Sequence, residues 1–159
     1  MATIDSRVIN LDELTLEHFT NGSSFESNGV RIAPLLGGKD LGYSYDVVPA
    51  GKRSCPFHSH QAEEEMFFIV RGRGTLRYGS ETRRIRAGDV ICCPTGGPDT
   101  AHQIINDSDG ELAYLSVSTM HPAEICEYPD SNKIGAFGKA GVRHMTHADA
   151  HVDYWTDEG

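Results

Sequence analysis

The chain has no apolar run near the roughly 18 residues that a membrane-crossing helix needs. Its opening residues, MATIDSRVIN, carry neither a hydrophobic leader core nor a transit pattern. Both absences place the expected location in the cytoplasm. Cysteine is sparse: Cys55, Cys92, Cys93 and Cys126 are the only four in 159 residues. That is too few for a secreted disulfide scaffold, and adjacent Cys92 and Cys93 could pair only in a strained ring, so all four read as reduced thiols. Basic residues thin out along the chain. Residues 1–86 hold 11 bases and 11 acids, residues 87–159 hold 3 and 12, and the net charge is −9. A net-negative body repels phosphate backbones and anionic bilayers, so neither nucleic acid nor membrane is an expected partner. Internal repeats, low-complexity tracts and a linker are also missing. With a length close to that of one hydrophobic core, residues 1–159 read as a single domain.

Glycine is plentiful, at 17 residues, and it punctuates short runs instead of gathering in one stretch. Between the glycines lie segments of strand character: 42–48, 66–70, 75–78, 82–86, 89–93, 102–105 and 111–119. Turn signals separate them at the spacing of an all-β sandwich or barrel. No helix-period stretch intervenes, so the sheets should be antiparallel. Two weak helical turns are expected at the periphery, one where Asn10 precedes Glu13 and one where Thr146 precedes Asp149.

Residues two apart in a strand share a face. Leu76, Tyr78 and Ile85 therefore point one way, and Arg77, Arg84 and Arg86 point the other, which reads as a solvated hairpin face and counts mildly against a phosphate site there. Phe67 and Ile69 share the parity of Glu65, while Met66, Phe68 and Val70 form an opposite apolar face that needs cover. Either the N-terminal segment or a second copy of the chain must supply it, and a homodimer is the expectation. Tyr43 and Tyr45 share a face, with the cavity and the outside equally open to them.

Two stretches carry the chemistry. In the first, His58 and His60 stand two apart and project from one face of an extended strand, and Glu65 opens the next apolar run before Gly72. Imidazoles with a carboxylate form a common ligand set for divalent transition metals. In the second, Gly88, Pro94 and Gly96 lead into His102, at the start of the apolar run HQII, and then Asn106.

Together these stretches resemble the two signature motifs of the cupin superfamily. The first motif matches from His58 through Gly72, with six residues instead of five between Gly51 and His58. The second matches at Gly88, Pro94, Gly96, His102 and Asn106, with a three-residue insertion before His102. The resemblance covers residues 42–120 and implies a cupin jelly-roll (double-stranded β-helix) barrel with short peripheral helical turns. It implies that His58, His60, Glu65 and His102 hold one divalent transition metal (Fe, Mn, Ni, Co or Zn). Glu65 is preferred to Glu63 and Glu64 because six residues separate it from Gly72. Cys55, near the barrel mouth, is a fifth-ligand or redox candidate, with packing the simpler role. His147 and His151 would share a face if helical. Tyr43, Tyr45, Gln103 and Glu127 are loose acid–base candidates.

A metal with open positions suits an enzyme acting on a small oxygen-rich molecule. Small cupins similar to this one imply a sugar or sugar-phosphate isomerase or epimerase. An Fe(II)-dependent dioxygenase and a non-catalytic small-ligand-binding barrel are the alternatives.

Overall fold

The computed structural model describes residues 7–138 and 141–159. Thirteen strands run β1 (Glu17–Asn21), β2 (Phe25–Arg31), β3 (Leu41–Val48), β4 (Ser59–His60), β5 (Glu65–Arg71), β6 (Arg73–Tyr78), β7 (Glu81–Arg86), β8 (Val90–Cys93), β9 (His102–Ile105), β10 (Leu112–Thr119), β11 (Ala123–Tyr128), β12 (Lys133–Gly138) and β13 (Arg143–His147). A single turn of helix, α1 (Ala33–Leu36), sits between β2 and β3. The strands form sheets of order β1-β2-β3-β10-β5-β8, β7-β6-β9 and β13-β12-β11-β4, and all their pairings are antiparallel. Among the described residues no helix is long and apolar enough to cross a membrane.

Alternation along the strands builds the core. Phe67 and Ile69 of β5, Leu76 of β6, Ile85 of β7, Ile91 and Cys93 of β8, Ile104 of β9, and Leu112 and Tyr114 of β10 turn inward and join Val48 in one buried cluster. Arg84 and Arg86 of β7 stay on the solvent side, as parity predicts, while Arg83, on the face of Ile85, is exposed as well. Gly72 turns the chain from β5 to β6 at φ +83°, where a Cβ would run into the Glu111 carbonyl, so the turn favours glycine on both backbone and steric grounds.

A second cluster lies on the outer face of the six-stranded sheet, where Ile32, Tyr45, Val47 and Ala113 are packed by Ile9, Leu11, Leu14, Leu16, Val70 and Leu115. The chain's own N-terminal segment thus covers Val70, and Tyr45 faces outward, where its hydroxyl accepts a hydrogen bond from Arg71. The cover is partial: the cross-strand pair Phe68 and Val90 remains 37% and 67% exposed.

The ends differ from the sequence-based expectation. Asn10 starts a 3-10 turn, but its side chain accepts the Asp12 N–H instead of forming a capping box with Glu13. Thr146 starts no helix. It lies in β13, paired to Ile134 of β12, and its hydroxyl donates to the His147 carbonyl. His147 and His151 therefore share no helical face, because pairing with β12 overrides the weak local cap signal.

The two faces of the large sheet make opposite predictions for truncation. Ile69→Ala should cost about 2–5 kcal/mol, whereas Val90→Ala should stay within about 0.5 kcal/mol. Urea unfolding followed by circular dichroism checks both. Equal losses would mean that the inner and outer faces are misassigned.

Candidate metal centre

The site is built where three short segments meet. His60 lies in β4, Glu65 opens β5 and His102 opens β9. His58 is tied to His102 by a two-way main-chain bridge, His58 N to His102 O at 3.2 Å and His102 N to His58 O at 2.8 Å. The three-residue insertion before His102 is absorbed by a 3-10 turn at Pro98–Thr100, so the bridge keeps its register.

The structure brings His58, His60, Glu65 and His102 together, with one ligand atom of each within 4.8 Å of all the others. All three Nε2 atoms face one carboxylate oxygen, Glu65 Oε2, at 3.9 Å from His58, 3.3 Å from His60 and 2.9 Å from His102. The far side of each ring explains what this means. His58 Nδ1 meets Pro56 O at 2.9 Å and His102 Nδ1 meets Thr100 O at 3.2 Å. A carbonyl only accepts, so both Nδ1 atoms carry the proton, and in the neutral rings each Nε2 presents a lone pair. His60 Nε2 is buried and makes no hydrogen bond. The centre is therefore a set of acceptors facing one another, which a proton or a metal cation must reconcile. The donor set of three nitrogens and one oxygen fits a divalent transition ion.

Without a metal, protons do that work. Burial opposes a charge on His60, but Cys126 and the Glu65 carboxylate raise its pKa to about 9. Burial raises that of Glu65, but His102 and His60 hold it well below the usual carboxylate range.

The neighbouring carboxylates turn elsewhere. Glu63 accepts the His121 N–H, and Glu64 takes the Cys92 thiol at 3.6 Å. Cys55 stands outside the ligand group, and burial pushes its thiol up to about 12, as befits a packing residue. Buried Gln103 donates to the Cys55 carbonyl, and Glu127 bonds the Gln61 side chain, so both serve neighbouring segments.

A cavity of about 700 Å³ opens over His58 and His60. Its walls include Arg31, Lys39, His121, Tyr128 and Arg143, none of which sequence reasoning selected as site residues. Tyr128 stacks on His58 with ring centroids 6.0 Å apart. Glu124, Cys126 and Tyr128 alternate along β11 and so share a face, a period-two signal present in the sequence.

Comparisons with known proteins bear on the family and the fold. The family model described as "Cupin domain" matches residues 44–118. An uncharacterised protein of Methanocaldococcus jannaschii is 33% identical over 72 residues, which cover 45% of this chain and 54% of that relative, so the match spans about half its length. The oxalate-binding protein of Thermotoga maritima is 27% identical over 115 residues, covering 69% of this chain and 91% of that one. A crystal structure from Acidithiobacillus ferrooxidans, of a proposed sugar phosphate isomerase, superposes with a TM-score of 0.85 at 22% identity, covering 95% of this chain and 99% of that one. With the motif residues gathered inside a jelly-roll barrel and residues 44–118 matching its domain model, the chain carries a cupin domain.

Proposed function

We propose that this cupin is a metal-dependent enzyme acting on a small, oxygen-rich anionic molecule, of the sugar-phosphate isomerase or epimerase type. The observation that carries the reading is the convergence of three imidazoles and one carboxylate, two of which, His58 and His60, line an open cavity. His58, His60, Glu65 and His102 would hold the ion. A divalent metal there supplies Lewis acidity, polarising a substrate carbonyl or hydroxyl.

The cavity walls support the choice of substrate. Arg31, Lys39 and Arg143 form no ion pair among the described residues, although the chain is strongly acidic. Two arginines of the hairpin, by contrast, are paired outside the barrel, Arg77 with Asp130 and Arg84 with Asp107. Burial pushes the Tyr128 hydroxyl up to about 12, so it stays protonated on the cavity wall and is available there as a donor. Glu63 also lines this cavity and would be a carboxylate within reach of a substrate proton there. The likeness to the Acidithiobacillus protein points to a sugar phosphate. A second reading, a barrel that binds such an anion without turning it over, is favoured by the likeness to the Thermotoga oxalate-binding protein. The exposed Phe68–Val90 pair supports a homodimer.

Elemental analysis of protein purified without chelators tests the metal. Alanine at His58, His60, Glu65 or His102 should abolish stoichiometric metal, while Glu64→Ala should keep it; loss with Glu64→Ala and retention with Glu65→Ala would place the ligand one residue earlier. Incubation of the metal-loaded chain with phosphorylated aldoses and ketoses in D₂O, followed by proton NMR, tests the reaction. Exchange at the carbon beside the carbonyl is expected, whereas saturable binding with no exchange would establish the binding reading instead.

If the wall cations hold the anion, the double variant Arg31→Ala/Arg143→Ala should weaken binding of a phosphorylated sugar about 10–100-fold relative to its unphosphorylated counterpart. An unchanged ratio in calorimetry would remove them from the site.

Metal uptake should also depend on pH. The metal needs neutral His60, whose metal-free pKa is raised to about 9, so uptake expels a proton below that value. Apparent affinity should therefore rise with pH and level off near 9. In the metal-free chain, His60 contributes stability that is fully present below about pH 6.5 and lost as pH climbs through about 9. Chelator competition and thermal melts across this range check the two signs.

A further inference from the structure

Glu124 lies on β11, beyond the segment that matches the family model and outside the four-residue ligand group. It is only 5% exposed and faces no guanidinium or ammonium among the described residues. Main-chain N–H groups surround it instead. Oε1 accepts from Gln61 at 2.9 Å, Ala62 at 3.3 Å and Ile125 at 2.7 Å, and Oε2 accepts from Ala62 at 3.2 Å and Glu63 at 2.5 Å. Converging N–H dipoles of this kind stabilise a buried anion without a cation, and hydrogen bonds to a charged acceptor are the stronger class.

The donors identify what is being held. Gln61, Ala62 and Glu63 are three of the four residues that join His60 to Glu65, and this link belongs to no strand or helix. The same edge of β11 also reaches the ring of His60. Cys126 pairs with His60 in register and brings Sγ to 3.4 Å from Nδ1, with Glu124 Oε2 at 3.9 Å. His60, Glu124 and Cys126 could be taken for a second metal group, since their ligand atoms also cluster. The Glu124 oxygens are already filled by main-chain donors, however, and His60 directs its Nε2 the other way.

The geometry points to Glu124 as a positioning residue of the metal centre: by gathering the N–H groups of 61–63 it fixes the spacing between His60 and Glu65, the ligands at the two ends of the link. The role rests on the metal reading above. It requires a carboxylate, since an amide would set its own NH₂ against N–H donors and lose one acceptor.

The test compares the full-length wild type with Glu124→Gln and with Ile134→Ala, a truncation of a half-buried residue on β12, a strand that holds neither the link nor a ligand. Two readouts are taken: amide hydrogen exchange of residues 61–63 in metal-free protein, and Co²⁺ affinity with the accompanying visible absorption spectrum. Glu124→Gln should speed exchange at Ala62 and Glu63 by about tenfold or more, weaken Co²⁺ binding about 10–100-fold and alter the Co²⁺ spectrum. Ile134→Ala should lower the melting temperature and leave Co²⁺ affinity and spectrum as they were. A folded Glu124→Gln protein with wild-type exchange or wild-type Co²⁺ affinity overturns the proposal, as does an equal loss of affinity in both variants. A wild type that binds no Co²⁺, combined with faster exchange in Glu124→Gln, overturns the metal reading and keeps Glu124 as the anchor of the link.

Discussion

The structure depends on a confrontation of acceptors. Two main-chain carbonyls, from Pro56 and Thr100, take the Nδ1 protons of His58 and His102 and so leave lone pairs aimed at Glu65. Such an arrangement is costly in a partly buried place unless a positive charge enters it. The fold holds it in place with the His58–His102 main-chain bridge, which ties the residue just before β4 to the first residue of β9 although the two strands lie in different sheets. An imidazole on a free loop would rotate away from a carboxylate it did not suit. Here the ring orientation is fixed at both ends, so the conflict persists until a cation resolves it.

The uneven charge of the sequence has a structural explanation. The first half carries the arginines of the hairpin and its approach, and the acidic second half supplies their partners: Arg71 with Glu111, Arg73 with Asp109, Arg84 with Asp107 and Arg77 with Asp130. Exposed pairs like these contribute at most about 1 kcal/mol each, so they do little for stability. Their consequence is where they leave charge uncompensated. Arg71, Arg73, Arg77 and Arg84 are matched in this way. The cations on the cavity wall, Arg31, Lys39 and Arg143, form no ion pair among the described residues, as is also true of Arg83 and Arg86 on the outside.

The part of the fold between residues 41 and 119 was legible because its strands are half-buried and alternate. Val90, Ile91, Cys92 and Cys93 read exposed, buried, exposed, buried, as parity requires, and the glycine and proline turns mark their ends. The outer strands were not legible for the same physical reason. EHFTN in β1 and RHMTH in β13 are exposed at every position, so no face is selected and nothing alternates; they are strands because a neighbour offers them a hydrogen-bonding edge. Tyr45 illustrates a further limit. Parity put it on a face shared with Tyr43, but which face was the inner one followed only from the N-terminal segment packing over it.

The candidate site divides along the same line. His58, His60, Glu65 and His102 fall within the stretch whose spacing is recognisable, and that stretch ends before β11. The groups around them come from beyond it: Tyr128 stacks on His58, Cys126 meets His60, and Arg143 stands on the cavity wall. A motif can therefore announce that a metal may be held while saying nothing of what reaches it. Chemistry at an open metal position is general, and the walls here come largely from the C-terminal strands, with Arg31 and Lys39 added from the N-terminal side. Two cupins with the same four ligands and different final strands should thus share a preference for oxygen donors and differ in the anion they admit.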